Sequence, residues 1–192
     1  MKYILILGLF IFVPLFIIAQ NCGQKDNSKQ KCNGDKGNCV QVIDSIKYDL
    51  SSTEKDGLIY MRLEEKLARD VYVTLGKTFA QKMFVNIPQS EQRHMDAVKV
   101  LLDKYEIPDP VINNEIGLFS NSEFQKLYND LVKKGQISFK DAMLVGKEIE
   151  ELDIKDLNER LEETDNPDIK SVYKNLKHGS ENHLKAFVKH LD

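Results

Sequence analysis

Residues 88–105, PQSEQRHMDAVKVLLDKY, combine the pattern of an amphipathic helix with two polar residues on its apolar side. At about 100° per residue, Glu91 and His94 fall inside the apolar stripe of this helix. The stripe is defined by Ile87, Val98, Leu101, Leu102 and Tyr105. Because burying an unpaired carboxylate costs roughly several kcal/mol, Glu91 needs a cation, a hydrogen-bond network or a metal ion in the protein core.

Helical periodicity continues on both sides of this segment. We predict long helices over residues 53–75, 88–105, 138–163 and from 167 to the C-terminus, and a short helix over 122–134. Two long helices, a long connection and two further long helices favour an all-α fold, a four-helix bundle. Its crossover joins the second and third long helices and contains the short helix.

Capping and helix-breaking residues set these limits. Thr53 is expected to cap the first helix, and Gly76 to end it. Pro88 suits the first turn of the second helix. Ser122 and Gln125 have the spacing of a capping box at the start of the short helix.

The last two long helices also direct polar side chains towards the core. In the helix over 138–163, Glu150 and Asp153 flank the centre of the apolar face. In the last helix, His183 lies within the apolar face, and Ser180 faces the same way three residues earlier. Any one of these residues alone is more often a hydrogen-bonded core residue, but their recurrence on several helices favours a metal site.

The first long helix offers two adjacent acids, Glu64 and Glu65. The helical wheel favours Glu64 as the more central of the two. With one of them included, the four helices direct four carboxylates and two imidazoles inward. Oxygen ligands together with imidazole suit iron or manganese, with zinc as the alternative, and two divalent ions would balance a charge of about −4.

These motifs resemble those of the ferritin-like di-iron carboxylate proteins, including rubrerythrins and bacterioferritins. Glu91-x-x-His94 is similar to their metal-binding motif. The segment EKLARDVY resembles a rubrerythrin pattern in which a ligand Glu is followed by Ala, Arg and Tyr, which selects Glu65 and places Tyr72 beside it. More closely, EEKLARDVY, SEQRHMDAV, GKEIEELDIKDL and GSENHLKAF resemble an uncharacterised ferritin-like family, domain of unknown function 2202, over about residues 55–190.

The resemblance implies a ferritin-like bundle with a di-iron or di-manganese centre that reacts with dioxygen or peroxide. The implied metal ligands are Glu65, Glu91, His94, Glu150, Asp153 and His183, with Tyr72 and Ser180 beside them. The last helix of ferritin-like proteins normally carries a second Glu-x-x-His, whereas Ser180 stands here in place of that Glu. Asp153 could compensate as a second carboxylate from its helix, and one or two metal ions both remain open.

Three functions are consistent with this pattern, and the sequence leaves open whether the protein is an enzyme. The first is an oxidoreductase with peroxidase or ferroxidase-like activity, which would need an external electron donor because the chain has no CxxC pair. The second is a metal-binding or sequestration protein without turnover. The third is a structural bundle with a vestigial site, for which Ser180 is the main support.

The N-terminus predicts an exported protein, periplasmic or envelope-associated. Residues 1–19 have the basic start and apolar run of a signal peptide cleaved after Ala19. A permanent membrane anchor and a lipid attached at Cys22 are the alternatives. Residues 20–50 are a polar tether that also holds Cys32 and Cys39, which could pair, and residues 51–192 form the bundle domain.

Composition and charge limit the partners of the protein. The net charge of −3 arises from interspersed acids and bases, so the chain lacks the clustered basic stripe that binds nucleic acid. The expected partners are metal ions, together with an external electron donor if the protein is an oxidoreductase and a membrane if the N-terminus stays anchored. Homo-oligomerisation is left open.

Overall fold

A computed structural model of the protein describes residues 47–191, in which every element of regular secondary structure is an α-helix. The helices are α1 (Ser52–Phe79), α2 (Met83–Lys104), α3 (Ser122–Gly135), α4 (Phe139–Glu162) and α5 (Pro167–Val188). No strand occurs within residues 47–191, which confirms the predicted all-α class. The predicted signal peptide, 1–19, and all but the last four residues of the predicted tether lie outside the described residues.

Two boundaries of the first helical pair differ from the prediction. Helix α2 begins five residues before Pro88, at Met83. Pro88 is therefore in the second turn, where its missing N–H removes a single hydrogen bond. Gly76 does not end α1, which continues to Phe79. Gly76 instead lets α2 approach closely, because a Cβ at this position would lie 2.9 Å from Cβ of Phe84.

The residues that cap α1 and α3 also differ from the prediction. Ser51, not Thr53, caps α1 through a capping box in which its Oγ accepts from the backbone N–H of Glu54. Asn121, one residue before Ser122, caps α3. In both cases the sequence offers neighbouring hydroxyl or amide side chains, and the wheel does not decide between them.

Helices α1 and α2 pack side by side in antiparallel orientation. Near the middle of the pair, Glu65 contacts His94, and towards the end of α1, Gly76 approaches Phe84. The contacts therefore move backwards along α2 as they move forwards along α1. Helices α4 and α5 form the matching antiparallel pair on the other side of the bundle.

The two pairs pack against each other to close the bundle. Helix α1 contacts α4 through Tyr72 and Glu150, and Tyr105, the residue that follows α2, hydrogen bonds to Asp168 of α5. The remaining pairs, α1 with α5 and α2 with α4, face each other diagonally. Because α2 and α4 run in the same direction, the crossover must return along the whole length of the bundle, as the sequence predicted.

Buried charges hold the crossover against α1. The carboxylate of Asp70 accepts hydrogen bonds from Nζ of Lys66 at 2.5 Å and from the backbone N–H of Gly117 at 2.9 Å. Nζ of Lys66 also donates to the carbonyl of Glu115 at 2.9 Å. Helix α3 packs on α1 and α4. The outer side of α1 is therefore covered, so α1 is buried on nearly all sides.

The core consists of two apolar clusters at opposite ends of the bundle. On α2, one cluster contains Phe84 and Ile87, and the other begins at Val98. Glu91 and His94 lie between the two clusters. No helix within residues 47–191 is long and apolar enough to span a membrane.

Candidate metal centre

Two groups of buried carboxylates and imidazoles meet between the apolar clusters, and they share one residue. The first group is Glu65, Glu91 and His94, and the second is Glu91, Glu150 and His183. Within each group, one oxygen or nitrogen atom per residue lies within 4.8 Å of the others. All four long helices thus contribute a side chain to one central site.

Glu91 lies between the two histidines. Nδ1 of His94 is 2.7 Å from Oε2 of Glu91 and 3.1 Å from Oε2 of Glu65. Nδ1 of His183 is 2.8 Å from Oε1 of Glu91 and 3.6 Å from Oε1 of Glu150. The imidazole rings stack with their centroids 5.6 Å apart. Each histidine therefore directs the same ring nitrogen at a different oxygen of one carboxylate.

Tyr72 of α1 holds the carboxylate of Glu150 on the neighbouring helix α4. Its hydroxyl donates a hydrogen bond of 2.7 Å to Oε1 of Glu150 and makes a longer contact of 3.4 Å with the carbonyl of Gly146. The phenol ring is fully buried and packs against Phe187 at 5.1 Å between ring centroids. Burial, and then the charge of Glu150, raise the pKa of Tyr72 well above its usual value, so the hydroxyl remains a donor.

Glu65, and not Glu64, joins the central site. Both side chains are buried, but Glu64 is absent from the two groups around Glu91. The helical wheel had favoured Glu64, because it assumes one buried stripe and one solvated face. The wheel cannot separate Glu64 from Glu65 because α1 is covered on nearly all sides. The family resemblance selects Glu65, the residue that lies in the central site.

Asp153 lies beside the site but belongs to neither group. Its Oδ2 is hydrogen bonded to Oγ of Ser180, which also contacts the carbonyl of Leu176 at 3.0 Å. Ser180, at the position of the expected second Glu of the last helix, thus orients an acid that α4 supplies.

Comparison with known proteins assigns the chain to a family. Residues 54–192 match the family described as an uncharacterized protein domain, DUF2202. The chain belongs to this family. It is 58% identical over 154 residues to the uncharacterized protein MJ0754 of Methanocaldococcus jannaschii, a match that covers 80% of this chain and 83% of that protein. The crystal structure of hypothetical protein MJ0754 from Methanococcus jannaschii DSM 2661 is similar with a TM-score of 0.75 and 57% identity, covering 76% of this chain and 83% of that chain.

The carboxylates of this DUF2202 domain differ strongly in proton affinity. Burial raises the pKa of both Glu65 and Glu150 to about 7, against a usual value of 4.5. Burial, and then the charges of the neighbouring glutamates, raise the pKa of Asp153 well above its usual value. Glu91 differs because the nearby histidines outweigh its burial and lower its pKa to about 2. Glu91 is therefore the fixed negative charge of the site.

The two histidines of the DUF2202 site hold protons tightly when only protein groups surround them. Burial alone would lower the pKa of His94, but the charges of Glu65 and Glu91 raise it well above its usual value. For His183, Glu150 and Glu91 likewise overcome burial and raise the pKa to about 9. Protons thus balance the buried acids, and any other cation must displace them.

Several polar atoms at the site have no hydrogen-bond partner among residues 47–191. They are Oε1 of Glu65, Oε1 of Glu91, Oδ1 of Asp153 and Nδ1 of His183. Oε1 of Glu91 and Nδ1 of His183 are close to each other, but not at hydrogen-bonding angles. Unpartnered buried polar atoms are rare in folded proteins, and four of them lie at this one site.

Gly179 is a site residue that the sequence did not reveal. A Cβ at this position would lie 2.5 Å from Nε2 of His94, so only glycine leaves room for the imidazole between α2 and α5. The signal that could have found it is the small residue four positions before His183, on the same face of α5.

Proposed function

We propose that this protein binds two divalent metal ions, iron or manganese, at the paired groups around Glu91, and uses them in redox chemistry with dioxygen or peroxide. The observation that carries the proposal is the position of Glu91 between two imidazoles. His94 and His183 come from different helices, and each directs Nδ1 at one oxygen of the same buried carboxylate. A second carboxylate lies beside each of these pairs.

The donor set fits such ions. Glu65, Glu91 and His94 would hold one ion, and Glu91, Glu150 and His183 the other. Carboxylate oxygen together with imidazole nitrogen is the ligand chemistry of iron, manganese and zinc in proteins. The unpartnered oxygens and the unpartnered nitrogen would gain the cation that they lack, and two divalent ions would balance the four nearby acids.

When bound, iron or manganese would supply the one-electron redox chemistry that carboxyl, imidazole and phenol groups lack. The protein itself orients the ligands. Tyr72 holds Glu150 by a donated hydrogen bond, and Ser180 holds Asp153. Packing between the apolar clusters excludes bulk water from Glu91, which strengthens every charge interaction at the site.

The proposed redox chemistry requires an external electron donor. The only cysteines of the chain are Cys22, Cys32 and Cys39, all before the described residues, and none forms a CxxC pair. The sequence therefore lacks the paired CxxC motifs of a rubredoxin-like iron site. Reducing equivalents for repeated turnover must then come from another molecule.

The test combines metal analysis with oxidation kinetics. Metal-free protein is loaded with ferrous iron under anaerobic conditions, exposed to air or peroxide, and followed by ferric absorbance. The variant Glu91→Ala, His94→Ala removes the centre. The matched control Glu151→Ala, His178→Ala removes an acid and an imidazole from exposed positions.

We expect wild type and the matched control to bind iron and oxidise it faster than buffer does. If the protein binds iron but oxidises it no faster than buffer does, metal sequestration is the function that remains. If wild type and the Glu91→Ala, His94→Ala variant both fail to bind, the proposal is wrong and a structural role remains.

A further inference from the structure

A second set of acids extends from the central site towards the surface between α1 and α4. Glu64 is 4% exposed, and its Oε2 has no hydrogen-bond partner within residues 47–191. Oδ1 of Asp153 is buried and unpartnered in the same way. Asp156 lies one turn further along α4, with 12% of its side chain exposed. The proposed metal centre does not use Glu64 or Asp156.

The packing of α1 against α4 places these acids next to one another. Tyr72 meets Glu150 at one level of the antiparallel pair, and Gly57 meets Arg160 at another. Glu64 lies midway between Gly57 and Tyr72 on α1. It therefore faces the part of α4 that carries Asp153 and Asp156.

Arg160 of α4 makes no hydrogen bond to Glu64. The guanidinium of Arg160 stacks over the ring of Tyr60 at 4.6 Å and reaches towards Glu163, at 3.9 Å. Its Nε has no hydrogen-bond partner in the described part of the chain. A buried carboxylate with an unpartnered oxygen and no hydrogen-bonded cation is costly to retain unless it binds a proton or a metal ion.

We propose that Asp156, Glu64 and Asp153 form the path by which divalent cations pass from solvent to the metal centre. The inference rests on the proposed function, because it supplies the centre that the path serves. A cation entering a medium of low dielectric constant needs an anionic ligand at each step. Asp156 offers the first at the surface, Glu64 the second, and Asp153 the third beside Glu65.

The opposite side of the centre is less suited to cation entry. There, between α2 and α5, Nε2 of His94 faces Gly179 at close range, and the imidazoles of His94 and His183 stack. An entering cation would meet two imidazole rings before it reached a carboxylate. The α1/α4 side instead presents an acid that is partly exposed, with Lys155 as a solvent-exposed ion-pair partner 3.3 Å away.

The experiment measures how fast Co²⁺ loads into metal-free protein, by stopped-flow mixing and visible absorbance. The variants are Glu64→Gln and Asp156→Asn, which keep side-chain shape and remove a carboxyl group. The matched control is Glu159→Gln, an exposed acid of α4 that also pairs with Lys155, at 3.0 Å. Circular dichroism checks that each variant remains helical.

We expect Glu64→Gln to slow loading by about tenfold and Asp156→Asn to slow it by a smaller factor. The final absorbance and the cobalt content should match wild type, and Glu159→Gln should load at the wild-type rate. If Glu64→Gln does not fold, slowed loading of Asp156→Asn with an unchanged end point still supports the path.

Three results would overturn the inference: wild-type rates in both variants, an equal slowing in Glu159→Gln, or a lower cobalt content in Glu64→Gln. The last would make Glu64 a ligand of the centre. If wild type takes up no cobalt, the proposed function fails as well. That outcome is distinct from an unchanged rate in a protein that does bind cobalt.

Discussion

Nδ1 of His183 on α5 lies 2.8 Å from Oε1 of Glu91 on α2, although the two residues are far apart in the sequence. The other oxygen of the same carboxylate faces His94. One buried acid is thus shared by imidazoles from two helices. If both metal ions depend on this residue, changing it must affect the whole centre, whereas changing its neighbours must affect one half.

Glu91→Gln should therefore abolish both bound metal ions, whereas Glu65→Gln and Glu150→Gln should each weaken one. The metal-free variant should also lose about 3 kcal/mol of unfolding free energy, because two buried imidazoles lose their shared anion. Metal content per chain and urea unfolding measure the two effects. Glu148→Gln, at an exposed position of α4, is the control and should change neither.

Tyr72→Phe should keep both metal ions but slow the oxidation of ferrous iron. The variant removes the donor of a 2.7 Å hydrogen bond to Glu150 without changing the packing of the ring. The stability of the metal-free protein should fall by about 1 kcal/mol, the usual worth of one hydrogen bond. A wild-type oxidation rate at full metal content would contradict the role of Tyr72.

Gly179→Ala should weaken metal binding although alanine favours helices. The added Cβ would lie 2.5 Å from Nε2 of His94 and displace the imidazole. In a His94→Ala background the obstacle is gone, so the same change should stabilise the protein by about 0.5–1 kcal/mol through helix propensity. Unfolding measurements on this double-mutant cycle test whether Gly179→Ala destabilises the protein when His94 is present and stabilises it when His94 is absent. An equal effect in both backgrounds would refute the steric conflict between Gly179→Ala and His94.

The stability of the metal-free protein should fall as the pH rises from about 5 to 9. Glu65 and Glu150 have folded pKa values of about 7, above 4.5, so the stability they contribute at low pH is lost between these values. The pKa of His183, about 9 against 6.5, extends the loss to higher pH. Glu91, with its pKa lowered to about 2, contributes stability that is lost only as the pH falls below about 4.5.

Added Mn²⁺ should oppose this trend, because the ion replaces the protons that are lost. The stabilisation by a fixed Mn²⁺ concentration should therefore grow with pH. Urea unfolding at several pH values, with and without Mn²⁺, tests both trends. Metal-free stability that rises from pH 5 to 9, or a metal effect that shrinks with pH, would contradict the account.

The sequence predicted the bundle and most of the central residues because they interrupt apolar stripes. Glu91, His94 and His183 could be identified from periodicity, since an ionisable residue on a buried face needs a partner. Glu64 and Glu65 could not be separated in this way, because the crossover and α3 bury the outer face of α1 as well.

Other features depend on contacts between helices that periodicity does not record. The pairing of Asp153 with Ser180 and the closeness of Gly179 to His94 arise where two helices meet. Pro88 predicts a later start of α2 than the structure shows, because this proline lies in the second turn and not in the first.

The most direct test of the central claim is an anaerobic calorimetric titration of metal-free protein with Mn²⁺ or Fe²⁺. We expect saturable binding of two ions per chain in wild type and its complete loss in the Glu91→Ala, His94→Ala variant. The exposed-site control, Glu151→Ala, His178→Ala, should bind as wild type does. No saturable binding by wild type, or equal binding by the Glu91→Ala, His94→Ala variant, would contradict the claim that these residues form a metal centre.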